Sequence, residues 1–330
     1  MNKLRDLIDR QLGMVSMYHV VVIGLVAISG WALVLMAAGE LAYSPLAFII
    51  SIALCTGVSF GSNTLFGWLF GVRPHHESAV ITGFILALLF TPPVGVLAGL
   101  KLALVAVIAM ASKYVLAVRG KHLFNPAAIA IVIASVGQLA YASWWIATPA
   151  LLPVTILAAG LILYKTQKVT MAVLFLGISI TLLSIQTAFL GPLSLQALGA
   201  AITSWPLIFF AGVMLSEPQT LPSRRSQQYL IAAVVAVFVT VPLHYGTIVM
   251  TPALALIIGN ILAFYFSTRR SIILRLIDTK PIGSNGHELL FDTKSFQFEP
   301  GQYMELSLPH RGMDRRGMRR VFSIIGRPYD

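Results

Sequence analysis

The chain has 330 residues, of which 57% are hydrophobic and 11% are charged, and its net charge is +11 at pH 7. Soluble domains carry about 25% charged residues, so this composition excludes an ordinary soluble fold. Disorder is excluded too, because it requires low hydrophobicity and high charge. The sequence therefore predicts a polytopic, all-α membrane protein. Its single cysteine, Cys55, allows no internal disulfide and no cysteine-based cluster or zinc site.

Long apolar runs predict about ten transmembrane helices between residues 19 and 268, after a short N-terminal segment, residues 1–18. The runs lie near 19–39, 45–71, 78–92, 96–117, 124–142, 148–164, 170–190, 196–215, 227–244 and 247–267. Most of them reach the length of about 20 residues that crosses the hydrocarbon core of a bilayer. The third and the eighth are short or interrupted.

Basic residues orient these spans. Thirteen of the fourteen lysines and arginines before position 271 fall in alternate connections, beginning with the N-terminal segment. Cytoplasmic loops carry such an excess of positive charge, so both ends of the membrane part are expected in the cytoplasm. This explains the net charge without nucleic acid, and no nucleic-acid partner is expected. The predicted location is a bacterial-type inner (plasma) membrane.

Lys101 is the exception, because it lies five residues into the predicted fourth span. Two interpretations stay open for this residue. Its long aliphatic stem can carry the ammonium group to the outer interface. Alternatively, it is an intramembrane charge on an ion or substrate path.

The composition changes after Arg270, where short β-type stretches and turn signals replace the apolar runs. Candidate strands lie at 272–277, 288–291, 296–298, 303–308 and 321–325. Residues 271–330 are therefore predicted to form a partial, all-β barrel domain in the cytoplasm. Sixty residues are few for such a domain, and we expect this sequence to end inside it.

Two features of this tail resemble the flavin-binding barrel of the ferredoxin–NADP reductase family. Residues 298–303 read Phe-Glu-Pro-Gly-Gln-Tyr, and residues 319–323 read Arg-Arg-Val-Phe-Ser. The resemblance implies non-covalent FAD or FMN, with Arg320 on phosphate, Phe322 against the ring, Ser323 on its polar edge and Tyr303 in the adjoining turn. An arginine fork suits phosphate geometry. The open alternative is a basic loop beside a core strand.

Three polar segments interrupt the membrane part. They are residues 75–84 (His-His-Glu-Ser-Ala-Val-Ile-Thr-Gly-Phe), 121–127 (Lys-His-Leu-Phe-Asn-Pro-Ala) and 214–222 (Met-Leu-Ser-Glu-Pro-Gln-Thr-Leu-Pro). Prolines and unwound backbone at membrane depth are tolerated only inside protein or along a cavity. Broken segments in both halves of a chain point to a site near the midplane. Candidate ion or substrate path residues are Glu77, Thr82, Lys101 and Glu217.

In this order, the segments resemble the RnfD/NqrB family, the membrane component that the Rnf electron-transport complex shares with the sodium-translocating NADH:quinone reductase. The resemblance spans residues from about 20 to 268, and its most specific part is Phe-Asn-Pro-Ala at 124–127. Glu217 stands where that family prefers aspartate. The resemblance implies a ten-helix bundle of two inverted repeats that binds flavin, coupled in some members to ion movement. Asn125 joins the candidate cofactor-binding residues because an Asn-Pro pair caps a helix and leaves amides facing a cavity.

One departure from this family concerns covalent flavin. Family members carry FMN on a threonine of a Ser-Gly-Ala-Thr segment, in a long connection that here shrinks to residues 138–149. No Ser-Gly-x-Thr occurs in the sequence, so covalent FMN is not expected.

Together these resemblances predict membrane-bound, flavin-dependent electron transfer by a subunit or fragment of an NAD(P)H-dependent oxidoreductase. Expected partners are the lipid bilayer and other membrane redox subunits, a quinone or an iron–sulfur carrier. NAD(P)H is expected as the donor only if a further nucleotide-binding domain follows. The alternative is an inverted-repeat transporter or channel with a degenerate β module, in which Glu77, Lys101, Asn125 and Glu217 bind substrate or ions.

Overall fold

A computed structural model of the chain describes residues 2–118, 121–190, 194, 196, 199–200, 203, 205–245, 248–266, 274–284, 286–292, 298, 303–307 and 319–324. The protein is mostly helical, with a small strand-containing C-terminal region. It divides into two compact units. One unit, called the membrane unit below, comprises Met17–Thr268. The other comprises Met1–Ser16 together with Arg269–Asp330.

Eleven helices are defined in the part of the chain that the structure describes. Their bounds are α1 Asn2–Gly13, α2 Met17–Ala37, α3 Pro45–Leu69, α4 His76–Leu89, α5 Val96–Val115, α6 Pro126–Val136, α7 Leu152–Thr166, α8 Val169–Leu190, α9 Leu207–Phe209, α10 Arg225–Thr240 and α11 Pro252–Tyr265. A π-helical segment, Phe210–Leu215, continues α9, and two 3₁₀ turns, Trp145–Ala147 and Pro149–Leu151, precede α7. Helix α1 was not predicted from the sequence.

Five stretches of the described chain are helical, long and apolar enough to cross a membrane. They are Met17–Ala37, Pro45–Leu69, Val96–Val115, Pro149–Thr166 and Val169–Phe189. Three further helices, α4, α6 and α11, are apolar but shorter. The sequence predicted a short third span, and α4 has 14 residues there. Helix α6 has 11 residues and ends at Val136, well before the predicted end at 142.

Local chemistry sets where the two short helices α6 and α11 begin. The Asn125 side chain accepts a hydrogen bond from Ala128 N at 3.0 Å, and Pro126 takes the first helical position. The Thr251 side chain likewise accepts a hydrogen bond from Leu254 N at 3.2 Å, and Pro252 takes the first helical position of α11. Such caps satisfy amides that have no partner inside the helix, and proline there loses no hydrogen bond. Both half-length helices therefore start at a polar residue followed by proline.

A local motif occurs twice in the membrane unit. Strands β1 Ala117–Val118 and β2 Lys121–His122 form a small antiparallel hairpin before α6, and β3 His244–Tyr245 and β4 Ile248–Val249 form another before α11. Packing repeats as well: α3 packs on α5 and α5 on α6, while α8 packs on α10 and α10 on α11. The two sets meet where α2 packs on α7 and α6 on α11. The first and second halves of the membrane unit thus share a hairpin before a short helix and the same packing order of three helices.

Glycines allow the closest helix contacts in this unit. A Cβ on Gly83 of α4 would lie 2.5 Å from Thr56 Cα in α3, and a Cβ on Gly212 would lie 2.4 Å from Ala159 Cβ in α7. Backbones approach each other this closely only where a side chain is missing, which is the usual way in which membrane helices pack tightly.

The other unit contains the predicted strands. Strand β5 Arg275–Ile282 pairs antiparallel with β6 Gly286–Asp292, and β7 Tyr303–Ser307 pairs antiparallel with β8 Arg319–Ser323. A left-handed glycine, Gly283 with φ +64°, helps to form the turn between β5 and β6. The described strands thus form separate hairpins. The strand predicted at 296–298 lies almost wholly outside the described residues.

Candidate functional site

A cavity of about 50 Å³ lies inside the membrane unit. Helices α2, α4, α6 and α7, the π-helical segment and the loop after it all contribute to its wall. Its polar lining includes Tyr18, Ser78, Thr82, Asn125, Thr166, Ser216, Glu217 and Gln219, and its apolar lining includes Val21, Ile81, Ile85, Ile162 and Val213. The cavity therefore lies where the two similar halves of the membrane unit meet.

Glu217 is the acidic residue of this wall and lies just after the π-helical segment. Its Oε1 atom is 3.2 Å from His122 Nε2, and its Oε2 atom accepts a hydrogen bond from Asn125 Nδ2 at 2.9 Å. The side chains of His122 and Glu217 are 15% and 19% exposed. Because an ionised carboxylate can only accept, a hydrogen bond here requires the form of His122 that carries a proton on Nε2. The carboxylate is thus fixed from two sides.

Asn125 connects three elements through its hydrogen bonds. Its Oδ1 atom caps α6, its Nδ2 atom binds Glu217, and its backbone amide donates to Asn260 Oδ1 of α11 at 2.8 Å. Asn125 and Asn260 are both buried. A buried amide of this kind is costly without a partner, so Asn260 fixes the position of the α6 start and, through it, of Glu217.

A lysine reaches the cavity wall from α5. Lys113 Nζ donates a hydrogen bond to Ser78 Oγ of α4 at 3.0 Å. The Thr82 hydroxyl, one turn along α4, donates to Ser78 O at 2.8 Å. Ser78 thus holds the amine of Lys113 beside the cavity.

Polar groups also gather at the start of α4. The Nδ1 atom of His75 accepts a hydrogen bond from Ser78 N at 3.3 Å and so caps the helix. Glu77 Oε1 lies 3.2 Å from His19 Nδ1 of α2, and their side chains are 37% and 45% exposed. This contact is partly open to the surroundings, and Glu77 is absent from the lining of the cavity.

The predicted path residues are therefore only partly brought together. Thr82, Asn125 and Glu217 line one cavity, whereas Glu77 faces His19 and Lys101 lies on the exposed side of α5. Sequence reasoning missed the link from Asn260 to Asn125 and the bond from Lys113 to Ser78. A polar residue in the middle of an apolar helix was the available signal for Asn260.

The opposite end of α4 is closed by the connection before α7. Ser143 N and Trp144 N both donate to Leu89 O, and Trp145 Nε1 donates to Phe90 O at 3.0 Å. Trp145 is buried and packs edge-on against Phe48. The last carbonyls of α4 thus have partners although the helix ends inside the protein.

The tail residues predicted to bind flavin lie on two paired strands. Tyr303 is directly opposite Ser323, and Leu306 is directly opposite Arg320. Side chains alternate along a strand, and directly opposite residues share a face. Arg320 and Phe322 therefore share one face, and Tyr303 and Ser323 share the other. The rings of Phe322 and Tyr303 are 47% and 57% exposed.

No group of three histidine, cysteine, aspartate or glutamate residues that could hold a metal ion occurs among the described residues. Comparison of the chain with protein-family models and with curated protein sequences found no match. What the fold defines is a helical protein with five helices of membrane-spanning length among the residues described.

Proposed function

We propose that this protein is a membrane-bound, flavin-dependent electron-transfer protein that passes electrons from NAD(P)H or a reduced carrier to a membrane redox partner. The observation that carries this proposal is the pairing of β7 with β8, which brings the two tail motifs together. The proposal also rests on the resemblance of residues 20–268 to the membrane component shared by the Rnf complex and the sodium-translocating quinone reductase. That resemblance favours a quinone or an iron–sulfur carrier as acceptor.

The residues of β7 and β8 fit a flavin in their chemistry. Arg320 offers a guanidinium fork for phosphate, and Phe322, two residues along the same face, offers a half-exposed ring for stacking. The Ser323 hydroxyl lies with Tyr303 on the other face of the strand pair, so this register supports Arg320 and Phe322 as flavin contacts and not the Ser323 hydroxyl. A bound flavin would supply the exchange between two-electron and one-electron chemistry. We propose that residues 271–330 belong to a barrel in which this pair of strands holds the cofactor non-covalently.

For the membrane part we propose two inverted repeats of five helices, spanning the bilayer ten times with both ends in the cytoplasm of a bacterial-type cell. The repeated hairpin, the repeated polar-residue-plus-proline start and the repeated packing order support this arrangement. Broken helices that meet at a repeat interface are a known way to build a polar site within a bilayer. The cavity beside Glu217, walled by helices from both halves of the membrane part, supports this arrangement.

Flavin binding by the full-length protein in detergent tests the proposal. Wild type mixed with FAD or FMN is expected to retain flavin after gel filtration and to release all of it on denaturation. Arg320→Ala should weaken binding about 10- to 100-fold, because it removes a charge-assisted contact to phosphate. Arg275→Ala, an exposed arginine of β5, is the matched control and should bind as wild type does. Wild type that retains neither flavin would refute the proposal, and fluorescence kept on a denaturing gel would refute non-covalent binding.

The second candidate is an inverted-repeat transporter or channel with a degenerate β module, and the cavity inside the bundle favours it. Solute uptake into liposomes containing the purified protein, with no flavin bound and no dye reduction from NAD(P)H, would favour this class. A stoichiometric flavin spectrum with dye reduction would favour electron transfer.

A further inference from the structure

We propose that helix α1, Asn2–Gly13, lies along the surface of the lipid bilayer, with one apolar face in the acyl-chain boundary and its basic residues at the level of the phospholipid phosphates. The surface in question belongs to the leaflet at which α2 enters the bilayer. This inference goes beyond electron transfer, because it concerns how the N-terminal segment meets lipid and does not depend on flavin.

The apolar residues of α1 fall on one face of the helix. An α-helix has 3.6 residues per turn, so positions three or four apart share a face. In α1 the apolar positions have this spacing: Leu4, Leu7, Ile8 and Leu12. The helix is otherwise polar, whereas α2 is apolar around its whole circumference. Helix α1 is therefore amphipathic, and its composition does not suit the interior of a bilayer.

The charged residues of α1 are sorted by sign around the helix axis. At about 100° per residue, the order from one border of the apolar face to the other is basic, acidic and basic: Arg5, then Asp9 and Asp6, then Arg10 and Lys3. An amphipathic helix that lies flat in a membrane interface has such borders near the headgroups and its far side in water. Basic residues thus fall where phosphates are, and the two aspartates, which are exposed, fall on the water side.

Helix α1 needs a surface because it is short. Twelve residues make a helix about 18 Å long, and isolated helices of this length are only marginally stable in water. The same length is well short of the roughly 30 Å of a hydrocarbon core. Within its own unit, no described strand packs extensively against α1. A helix that neither spans the bilayer nor stands well alone is stabilised by burying its apolar face at an interface.

The connection to α2 keeps α1 close to such a surface. Helix α1 ends at Gly13 and α2 begins at Met17. The four Cα–Cα steps between these residues reach at most about 15 Å. Helix α2 has 21 residues and is apolar enough to cross a membrane. Because α2 begins at the bilayer surface, its connection holds α1 within reach of the headgroups of the same leaflet.

Other occupants of the apolar face fit less well. A coiled coil with a second copy requires an apolar heptad repeat, and the repeat from Leu4 returns at Gln11, which is exposed. A groove on another protein would need acidic groups along both of its rims to match the basic borders. Phospholipid supplies anionic groups on both sides of a helix without any such specialisation, so lipid is the partner that the charges favour.

Fluorescence quenching on the full chain in vesicles tests this orientation. Cys55→Ala removes the native thiol, and an environment-sensitive thiol label is placed on the apolar face at Leu4→Cys or Ile8→Cys, or on the opposite side at Asp6→Cys. The vesicles contain phosphatidylethanolamine and phosphatidylglycerol, and no flavin is added. One quencher is a nitroxide attached to the lipid acyl chains, and the other is iodide in the water.

The labels on the two sides should respond in opposite ways. Labels at positions 4 and 8 should be quenched at least about twofold more by the lipid nitroxide than the label at position 6, and iodide should give the reverse order. Arg5→Gln combined with Arg10→Gln should reduce lipid quenching of the position 8 label about twofold, because both borders lose charge. Arg275→Gln is the matched control, an exposed arginine of β5, and should leave the signal unchanged.

Several outcomes would overturn the assignment. Labels at positions 4 and 8 that are as open to iodide as the label at position 6 would refute docking of this face. Labels there that are shielded from iodide but not quenched by the lipid nitroxide would identify protein as the cover and refute lipid. An unchanged signal in the double arginine variant would refute the contribution of the basic borders. Two label positions one turn apart keep the test decisive if one substitution unfolds α1, and a negative flavin-binding result leaves every outcome unaffected.

Discussion

Replacing Gly83 by alanine tests the packing of α4 against α3. The added Cβ would lie 2.5 Å from Thr56 Cα, 2.8 Å from Thr56 N and 2.9 Å from Cys55 C. All three atoms belong to the backbone of α3, so no side chain can rotate away. To bring the shortest distance to an ordinary contact of 3.4 Å, the two helices must separate locally by about 0.9 Å.

The cost follows from that separation. Overpacking a well-filled interior typically costs about 1–3 kcal/mol, and a rigid backbone contact belongs at the upper end of that range. Alanine is also the better helix former, by about 1 kcal/mol in water, which offsets part of the cost. We expect Gly83→Ala to lower the free energy of unfolding by about 1–3 kcal/mol.

Reversible unfolding in mixed detergent micelles, followed by tryptophan fluorescence, measures this free energy. Gly61→Ala is the matched control, because Gly61 lies in α3 and a Cβ added there would meet nothing within 4 Å. That control should be neutral or slightly stabilising. If Gly83→Ala unfolds at the same detergent composition as wild type, or if both variants lose equally, the close approach of α3 and α4 is refuted.

Two further substitutions test hydrogen bonds that hold the membrane unit together. Trp145→Phe removes the donor to the Phe90 carbonyl at the end of α4 and should lower the free energy of unfolding by about 1–3 kcal/mol in the same assay. Trp31→Phe removes the more exposed hydrogen bond to Ala150 O and should lower it by under about 1 kcal/mol. Equal losses in the two variants would contradict this ranking. Asn260→Ala leaves the amide of Asn125 without its acceptor and should cost about 1–3 kcal/mol. Its control is Ser29→Ala, a buried hydroxyl with no hydrogen-bond partner, whose loss should cost less.

Apolar composition made the helical, membrane-spanning character predictable, since long runs of hydrophobic residues have few other stable states. The helix ends were less predictable. Residues 124–142 read as one apolar run, yet α6 stops at Val136, because the backbone turns at Gly137 and Gln138 takes a positive φ of 53°. Such an end depends on backbone geometry and on neighbouring elements, and hydrophobicity alone does not report it.

The cavity was partly predictable for a similar reason. Asn125 and Glu217 stood out because polar residues beside prolines are unusual in apolar sequence. Their hydrogen bond joins positions 92 residues apart, and no local pattern predicts which distant residues meet. The same limit applies to Lys113 and Ser78. The sequence predicted strands at 303–308 and 321–325, whereas their pairing and the register of Tyr303 opposite Ser323 came from the structure.

The bond between Asn125 and Asn260 has a consequence for biosynthesis. Its two ends are 135 residues apart, and a ribosome adds about 5–20 residues per second. Roughly 7 to 27 seconds therefore pass between the synthesis of Asn125 and that of its acceptor. During that interval the amide of Asn125 lacks the acceptor that it has in the finished fold. The polar contact between α6 and α11 can therefore form only after the second half of the membrane unit has been synthesised.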